Sequence, residues 1–204
     1  MIDETMIGKG VAAISAVDAD FRRGVEEVGH PAPRGREPGF ASLLSAIVSQ
    51  QVSKEAAAAI WGRVQLLMPG GSPLELLSHD DEALRGAGLS RPKIAYARGL
   101  AEAIASGALD VEALSSMEDE DAIAALSSLK GIGRWTAEVY CLHALGRPDI
   151  FPADDLALLE ALRRLKGMEE RPRPKQAREL IAHWSPWLSV GSVFLWHYYR
   201  GAPQ

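Results

Sequence analysis

The chain has 204 residues, a formal net charge of −5 and a hydrophobic share of 47%. It is long enough to bury a substantial core as one large or two small units, and its negative charge argues against a protein that coats nucleic acid non-specifically. The single cysteine, Cys141, excludes an internal disulfide and an iron–sulfur cluster with four cysteine ligands. No apolar run is long enough to span a membrane and residues 1–10 lack a signal-peptide pattern, so we expect a cytoplasmic location.

Apolar residues recur at helical spacing along most of the chain, and no stretch alternates with period two, so the predicted fold is all-α. The first predicted helix covers residues 18–28, begins at the N-cap Asp18 and follows a short lead-in. After a loop rich in proline and glycine, helices are predicted at 40–48, 56–67, a short one from 73, 80–87, 91–106 and 119–129. Further helices are predicted at 137–145, 156–165, 174–184 and 189–199.

Residues 129–138, Leu-Lys-Gly-Ile-Gly-Arg-Trp-Thr-Ala-Glu, separate two of these helices. Gly131 and Gly133 let the backbone turn sharply and leave no Cβ in the way of a ligand. Exposed N–H groups at such a turn and at the start of the second helix are suited to bind a phosphate. A dinucleotide-binding turn would need a preceding strand and a third glycine, but the preceding segment is predicted helical and Thr136 holds the third position. The other interpretation is a purely structural turn.

Catalytic chemistry is indicated by a pair of carboxylates. The five histidines lack metal-ligand spacing, and the chain contains neither a nucleophile elbow nor a phosphate-loop motif. Asp154 and Asp155 stand directly before the helix predicted at 156–165. An aspartate there can serve as an N-cap and interact favourably with the helix dipole, although one cap does not require two carboxylates. The pair is therefore either a helix start or a catalytic carboxylate beside a structural one.

The hairpin at 131–137 and the following Phe-Pro-Ala-Asp-Asp at 151–155 resemble the helix-hairpin-helix (HhH-GPD) DNA glycosylase superfamily. Within it, the chain is similar to the compact form of the 3-methyladenine DNA glycosylase II branch, the AlkA-like enzymes. The resemblance covers residues 40–199 or so and includes Ser-Gln-Gln-Val-Ser at 49–53. It implies a single glycosylase unit over residues 1–204 with two helical lobes and a cleft between them. One lobe would cover about 40–129, and the other about 11–39 plus 130–204.

The resemblance also implies an activity, which is monofunctional hydrolysis of the N-glycosidic bond of alkylated purines in base excision repair. In the family the catalytic aspartate follows the hairpin aromatic by twenty residues, which carries that role onto Asp155 and leaves Asp154 as a structural partner. Bifunctional members have a lysine where this chain has Trp135, so no lyase activity is expected. Trp135 and, from the aromatic-rich closing helix, Trp196 are expected to line the base pocket, where an indole can stack on a cationic base.

Double-stranded DNA is the partner that the resemblance implies, bound by a monomer without a cofactor. The expected DNA contacts come from the hairpin, from the 49–53 segment beside the extruded nucleotide, and from one further lysine. They are Lys130, Gly131, Gly133, Arg134 and Thr136, then Gln50, Gln51 and Ser53, and finally Lys93. Hairpin carbonyls are expected to hold a structural monovalent cation, and no catalytic metal is expected.

The chain departs from the family at Leu188, where the family pattern has an arginine, and this puts the substrate range in doubt. Two alternatives stay open at this point. One is a glycosylase for deaminated or mismatched bases, which would need hydrogen-bond donors in its pocket. The other is a non-catalytic HhH protein that binds DNA structures, in which Asp155 persists only as a helix cap.

Overall fold

The computed structural model describes residues 2–202, and over that range it contains helices and no β-strand, which confirms the all-α prediction. None of the helices in this range is long and apolar enough to cross a bilayer. The α-helices are α1 Glu4–Val17, α2 Ala19–Val28, α3 Phe40–Ser49, α4 Lys54–Leu67, α5 Pro73–Leu77, α6 Asp81–Gly86, α7 Arg91–Ala105, α8 Asp119–Ser127, α9 Arg134–His143, α10 Leu156–Leu165, α11 Pro174–Leu180 and α12 Leu188–Gly201. Short 3-10 helices lie at Ala113–Ser116 and Ala182–Trp184.

The chain divides into two compact units. The first comprises Met1–Arg36 and Cys141–Gln204, and the second Glu37–Tyr140. In the first unit, α10 packs on α12, and α1 packs on α2 and α12. In the second unit, α7 packs on α3 and α5, and α4 packs on α3. The hydrophobic core of each unit is formed by the apolar stripes that the sequence periodicity predicts.

The predicted boundary after residue 129 differs from this division, which falls inside α9 after Tyr140. Gly131 lies against the ring of Tyr96, and its carbonyl accepts a hydrogen bond from Gln50 Nε2 at 2.8 Å. Both of these side chains belong to the unit Glu37–Tyr140. The hairpin therefore belongs to that unit as well, which motif positions alone do not reveal.

Helix α1 is absent from the sequence-based prediction, which treats the first residues as a lead-in. Its Gly8 and Gly10 have low helix propensity, which obscures the apolar spacing of Ile7, Val11 and Ile14. The structure explains one of these glycines: a Cβ on Gly10 would lie 2.7 Å from Cγ2 of Val190 in α12. Close packing between α1 and α12 thus outweighs the propensity cost.

A buried polar cluster stabilises the first unit around Asp18, whose side chain is 2% exposed. Its Oδ1 caps α2 by accepting from the N–H groups of Asp20 and Phe21. Its Oδ2 accepts from Lys166 Nζ at 2.6 Å, His183 Nε2 at 2.9 Å and Trp184 Nε1 at 2.7 Å. Burial alone would raise the pKa of Asp18, but these donors together hold that pKa well below its ordinary value.

We expect Asp18→Asn to destabilise the protein by about 3 kcal/mol at neutral pH, because it removes the counter-charge of a buried cluster. Asparagine still caps α2, so the loss isolates the charge. A lowered folded-state pKa contributes stability that is present above the unfolded value of about 4 and is lost as pH falls below it. Chemical unfolding between pH 7 and pH 3 should therefore show a steeper loss in the wild type than in the variant. Parallel pH profiles would contradict this.

Candidate functional site

The turn between α8 and α9 uses its two glycines differently. Ile132 N–H donates to Leu129 O at 3.0 Å, and Gly133 O accepts from Ala137 N–H at 3.0 Å as α9 begins. Gly131 has φ +94°, and a Cβ on it would lie 2.3 Å from Tyr96 Cγ, so the turn itself requires glycine there. Gly133 is exposed, and a Cβ on it would meet nothing within 4 Å. Its lack of a side chain leaves the first turn of α9 open to an approaching group.

The predicted hairpin contacts differ in accessibility. Lys130 is exposed beside the turn, whereas Thr136 is 6% exposed and faces inward. The Arg134 guanidinium is bound by two carboxylates, with Nη2 to Glu120 Oε1 at 2.6 Å and Nε to Glu138 Oε1 at 2.9 Å. The hydrogen bonds to Glu120, then the charge of Glu138, raise the pKa of Arg134 above its ordinary range. Arg134 therefore fixes the start of α9, and its contact with DNA stays a prediction.

The 49–53 segment divides into residues that hold the structure and residues that project from it. Gln50 donates from Nε2 to Gly131 O at 2.8 Å and so connects the end of α3 to the hairpin. Ser53 caps α4, because its Oγ accepts from Ala56 N–H at 3.2 Å. Gln51 is exposed with φ +54°, and the apolar Val52 beside it is 39% exposed. A non-glycine residue in this region of φ is uncommon and marks a constrained, projecting position.

Lys93 has an internal contact in place of the predicted surface position. Its side chain is buried, and Nζ donates to Val48 O at 2.7 Å, near the end of α3. Burial lowers the pKa of Lys93. A lysine that binds the last carbonyls of a helix stabilises its C-terminus. Lys93 thus supports the segment that leads to Gln50 and Gln51, which is a different role from a direct phosphate contact.

Asp155 is the N-cap of α10. Its Oδ1 accepts from Ala157 N–H at 2.9 Å and from Leu158 N–H at 3.1 Å. The sequence assigned the structural role to Asp154, which is exposed, but the cap belongs to Asp155. Two backbone donors hold this carboxylate in a fixed orientation. Because a carboxylate has several acceptor positions, capping through Oδ1 is compatible with a second role for the same group.

The loop that carries Asp155 is anchored to the start of α12. Ser189 Oγ accepts from Ile150 N–H at 2.9 Å, and Ser192 Oγ donates to Ile150 O at 3.2 Å. Asp149 Oδ1 accepts from Leu188 N–H at 3.2 Å, so Leu188 contributes its backbone to this anchor. The position of the loop therefore does not depend on an arginine side chain at residue 188.

The two predicted pocket aromatics belong to different units and are described separately. Trp135, in the first turn of α9, is 40% exposed, which is unusual for an indole. Trp196 in α12 is partly exposed and stacks on the His143 ring, with centroids 5.4 Å apart and an interplanar angle of 23°. One face of Trp196 is thus covered by His143. The other closing aromatics mostly follow the core prediction, as Trp184 and Phe194 are buried.

A capped aspartate after a Gly-Ile-Gly hairpin is the pattern of one known family. The sequence model of the HhH-GPD superfamily of base excision DNA repair proteins matches residues 44–186, which include the 49–53 segment, the hairpin and Asp155. The chain belongs to this superfamily. This confirms the resemblance seen in the sequence.

Similar HhH-GPD proteins place the chain in the 3-methyladenine glycosylase branch. DNA-3-methyladenine glycosylase 1 of Schizosaccharomyces pombe is 31% identical over 94% of this chain and 87% of its own length. A solved structure of the S. pombe 3-methyladenine DNA glycosylase in complex with abasic DNA superposes with a TM-score of 0.83, covering 92% of this chain and 95% of that one. A 3-methyladenine glycosidase from Bacillus halodurans has 36% identity and a TM-score of 0.85, with coverages of 94% and 89%.

Several residues that shape this HhH-GPD site carry no signal in the sequence motif. Tyr96 supports Gly131 from α7, three residues after Lys93, and only their common helical face connects them. The acceptors of Arg134 lie four residues ahead at Glu138 and fourteen residues back at Glu120. The i,i+4 pair is recognisable in the sequence, whereas the longer one requires the fold.

Proposed function

We propose that this chain excises alkylated, cationic purines from double-stranded DNA by hydrolysing the N-glycosidic bond, as a DNA-3-methyladenine glycosylase. The observation that carries this proposal is Asp155, held by its own helix cap at the family's catalytic position. It is supported by similarity over nearly the whole chain to proteins named as such glycosylases.

The proposed chemistry depends on a single oriented carboxylate. As the glycosidic bond breaks, positive charge develops on the deoxyribose, and Asp155 stabilises that charge and orients the attacking water. A purine methylated at N3 or N7 already carries positive charge in the DNA and leaves as a neutral base. The leaving group therefore needs little help from a general acid, which fits a site with one assigned carboxylate.

The base is expected to stack on Trp135, whose exposed indole attracts a cationic ring by about 1 to 2 kcal/mol when the pair is desolvated. Trp196, with one face against His143, offers only its other face and is the lesser candidate. A tryptophan at the hairpin position has no amine to form a Schiff base with the sugar, so the reaction stops at an abasic site.

A strand-cleavage assay tests this reaction type. A duplex that carries one alkylated purine should give an abasic strand that stays intact until it is treated with alkali. Borohydride added during the reaction should trap no covalent complex between protein and DNA. Direct strand cleavage together with a trapped complex would contradict monofunctional hydrolysis.

DNA binding is proposed to use the open first turn of α9 as a phosphate site, with Lys130 exposed beside it. Gln51 and the exposed apolar Val52 project from the turn between α3 and α4 and are proposed to brace the duplex where the nucleotide is extruded. A monovalent cation at the hairpin carbonyls, a monomeric state and a cytoplasmic location stay predictions.

Gln50 and Gln51 should behave differently when each is changed to alanine. Gln51→Ala should lower DNA affinity and excision with little change in stability, because its side chain is exposed. Gln50→Ala should cost about 1 kcal/mol of stability, because it removes the hydrogen bond to Gly131 O. Thermal unfolding and DNA titration of both variants separate the two roles. Equal losses of stability, or unchanged DNA binding in Gln51→Ala, would contradict them.

A further inference from the structure

A cavity of about 340 Å³ in the first unit has no role in the function proposed above. It is lined by Pro33, Arg34, Gly35, Arg36 and His143. Two arginines at its wall would repel a cationic purine, so it does not suit the alkylated base. An arginine-lined cavity instead suits an anion.

The loop that forms the cavity is held by its backbone. His143 Nδ1 donates to Arg34 O at 2.8 Å, and Arg36 N–H donates to His143 O at 2.9 Å. The His143 ring is further fixed by stacking on Trp196. Because these hydrogen bonds involve main-chain atoms of the loop, the arginine side chains can be changed without removing them.

The positive charge at this cavity is not neutralised within the chain. Arg34, Arg36 and Arg200 are exposed, and within residues 2–202 no carboxylate forms an ion pair with any of them. Partial burial and then the charge of Arg200 lower the pKa of Arg34. Burial, opposed by the bond to Arg34 and then assisted by the charges of Arg36 and Arg34, lowers the pKa of His143. By contrast, Arg134 and Arg163 each bind a glutamate.

We propose that this cavity binds a phosphate group, with the Arg34 and Arg36 guanidinium groups as donors and Arg200 adding to the positive field. Planar guanidinium groups match phosphate oxygens with two parallel hydrogen bonds each. The phosphate comes from one of two sources, a DNA backbone phosphate outside the hairpin or a small phosphate-bearing molecule. Only the first source rests on the function proposed above.

Inorganic phosphate is the probe for the site itself. Its addition should raise the melting temperature of the DNA-free wild-type protein with saturation, since a ligand that binds the folded state stabilises it. The double variant Arg34→Gln/Arg36→Gln should lose this saturable shift, and its backbone hydrogen bonds to His143 should keep it folded. Arg171→Gln is the matched control, because it removes one exposed arginine from the same unit and should respond like the wild type.

The salt dependence of DNA binding distinguishes the sources. If the site holds a backbone phosphate, each lost contact lowers the slope of log K against log salt by about 0.9. If phosphate binds but the slope is unchanged, the ligand is a small phosphate-bearing molecule. The proposal is overturned if phosphate stabilises the double variant as much as the wild type, if it fails to stabilise the wild type, or if Arg171→Gln loses the same shift. Because the phosphate titration needs no DNA or base release, its outcome is separate from that of the glycosylase assay.

Discussion

Asp155→Asn should reduce the rate of base excision by about a hundredfold or more while leaving DNA affinity close to that of the wild type. The amide oxygen of asparagine still accepts from the N–H groups of Ala157 and Leu158, so the start of α10 is retained. What is lost is the negative charge that stabilises the developing positive charge on the sugar. Single-turnover excision kinetics and a DNA titration measure the two quantities separately.

Asp154→Asn is the matched control, since it makes the same chemical change one residue earlier at an exposed position that carries no cap. It should excise the base at nearly the wild-type rate. If Asp154→Asn loses activity and Asp155→Asn keeps it, the catalytic role belongs to Asp154 and the assignment of Asp155 is wrong.

Gly131→Ala should destabilise the protein by about 3 kcal/mol and disable the hairpin. The added Cβ would lie 2.3 Å from Tyr96 Cγ, and φ at this position is +94°, so both packing and backbone conformation oppose the change. Gly133→Ala is the matched control in the same turn, because its Cβ would meet no atom of the chain within 4 Å.

Gly133→Ala should cost less than about 1 kcal/mol of stability. It should nevertheless weaken DNA binding, because its methyl group occupies the space through which a phosphate approaches the first turn of α9. Chemical unfolding and DNA titration of both variants test this division. Equal stability of the two variants would show that Tyr96 moves aside easily, and normal DNA affinity of Gly133→Ala would contradict the phosphate site at the hairpin.

The fold and the family were predictable because they depend on local patterns. Helical apolar spacing recovers most helices, and the Gly-Ile-Gly turn followed by Asp-Asp identifies the HhH-GPD superfamily, as the matching family model confirms. The cap at Asp155 was predictable as one of two interpretations of a carboxylate before a helix. Its assignment to Asp155 rather than to Asp154 was not, because both aspartates have suitable side chains and only the backbone geometry selects one.

The surface and the interior were harder to separate for polar residues. Lys93 and Thr136 match the family motif, yet Lys93 binds Val48 O and Thr136 is buried, since their positions on α7 and α9 turn them inward. Arg134 is occupied by acidic groups that the motif does not include. The Asp18 cluster joins residues more than 140 positions apart, which no local pattern reveals.

The most direct measurement is chromatography of the free bases that the wild-type protein releases from three duplexes, one methylated, one containing uracil and one containing hypoxanthine. We expect release of 3-methyladenine or 7-methylguanine from the methylated duplex, and little from the other two. Release from the uracil or hypoxanthine duplex alone would contradict the assignment to alkylated purines. Binding to all three duplexes without any base release would contradict an enzymatic role altogether.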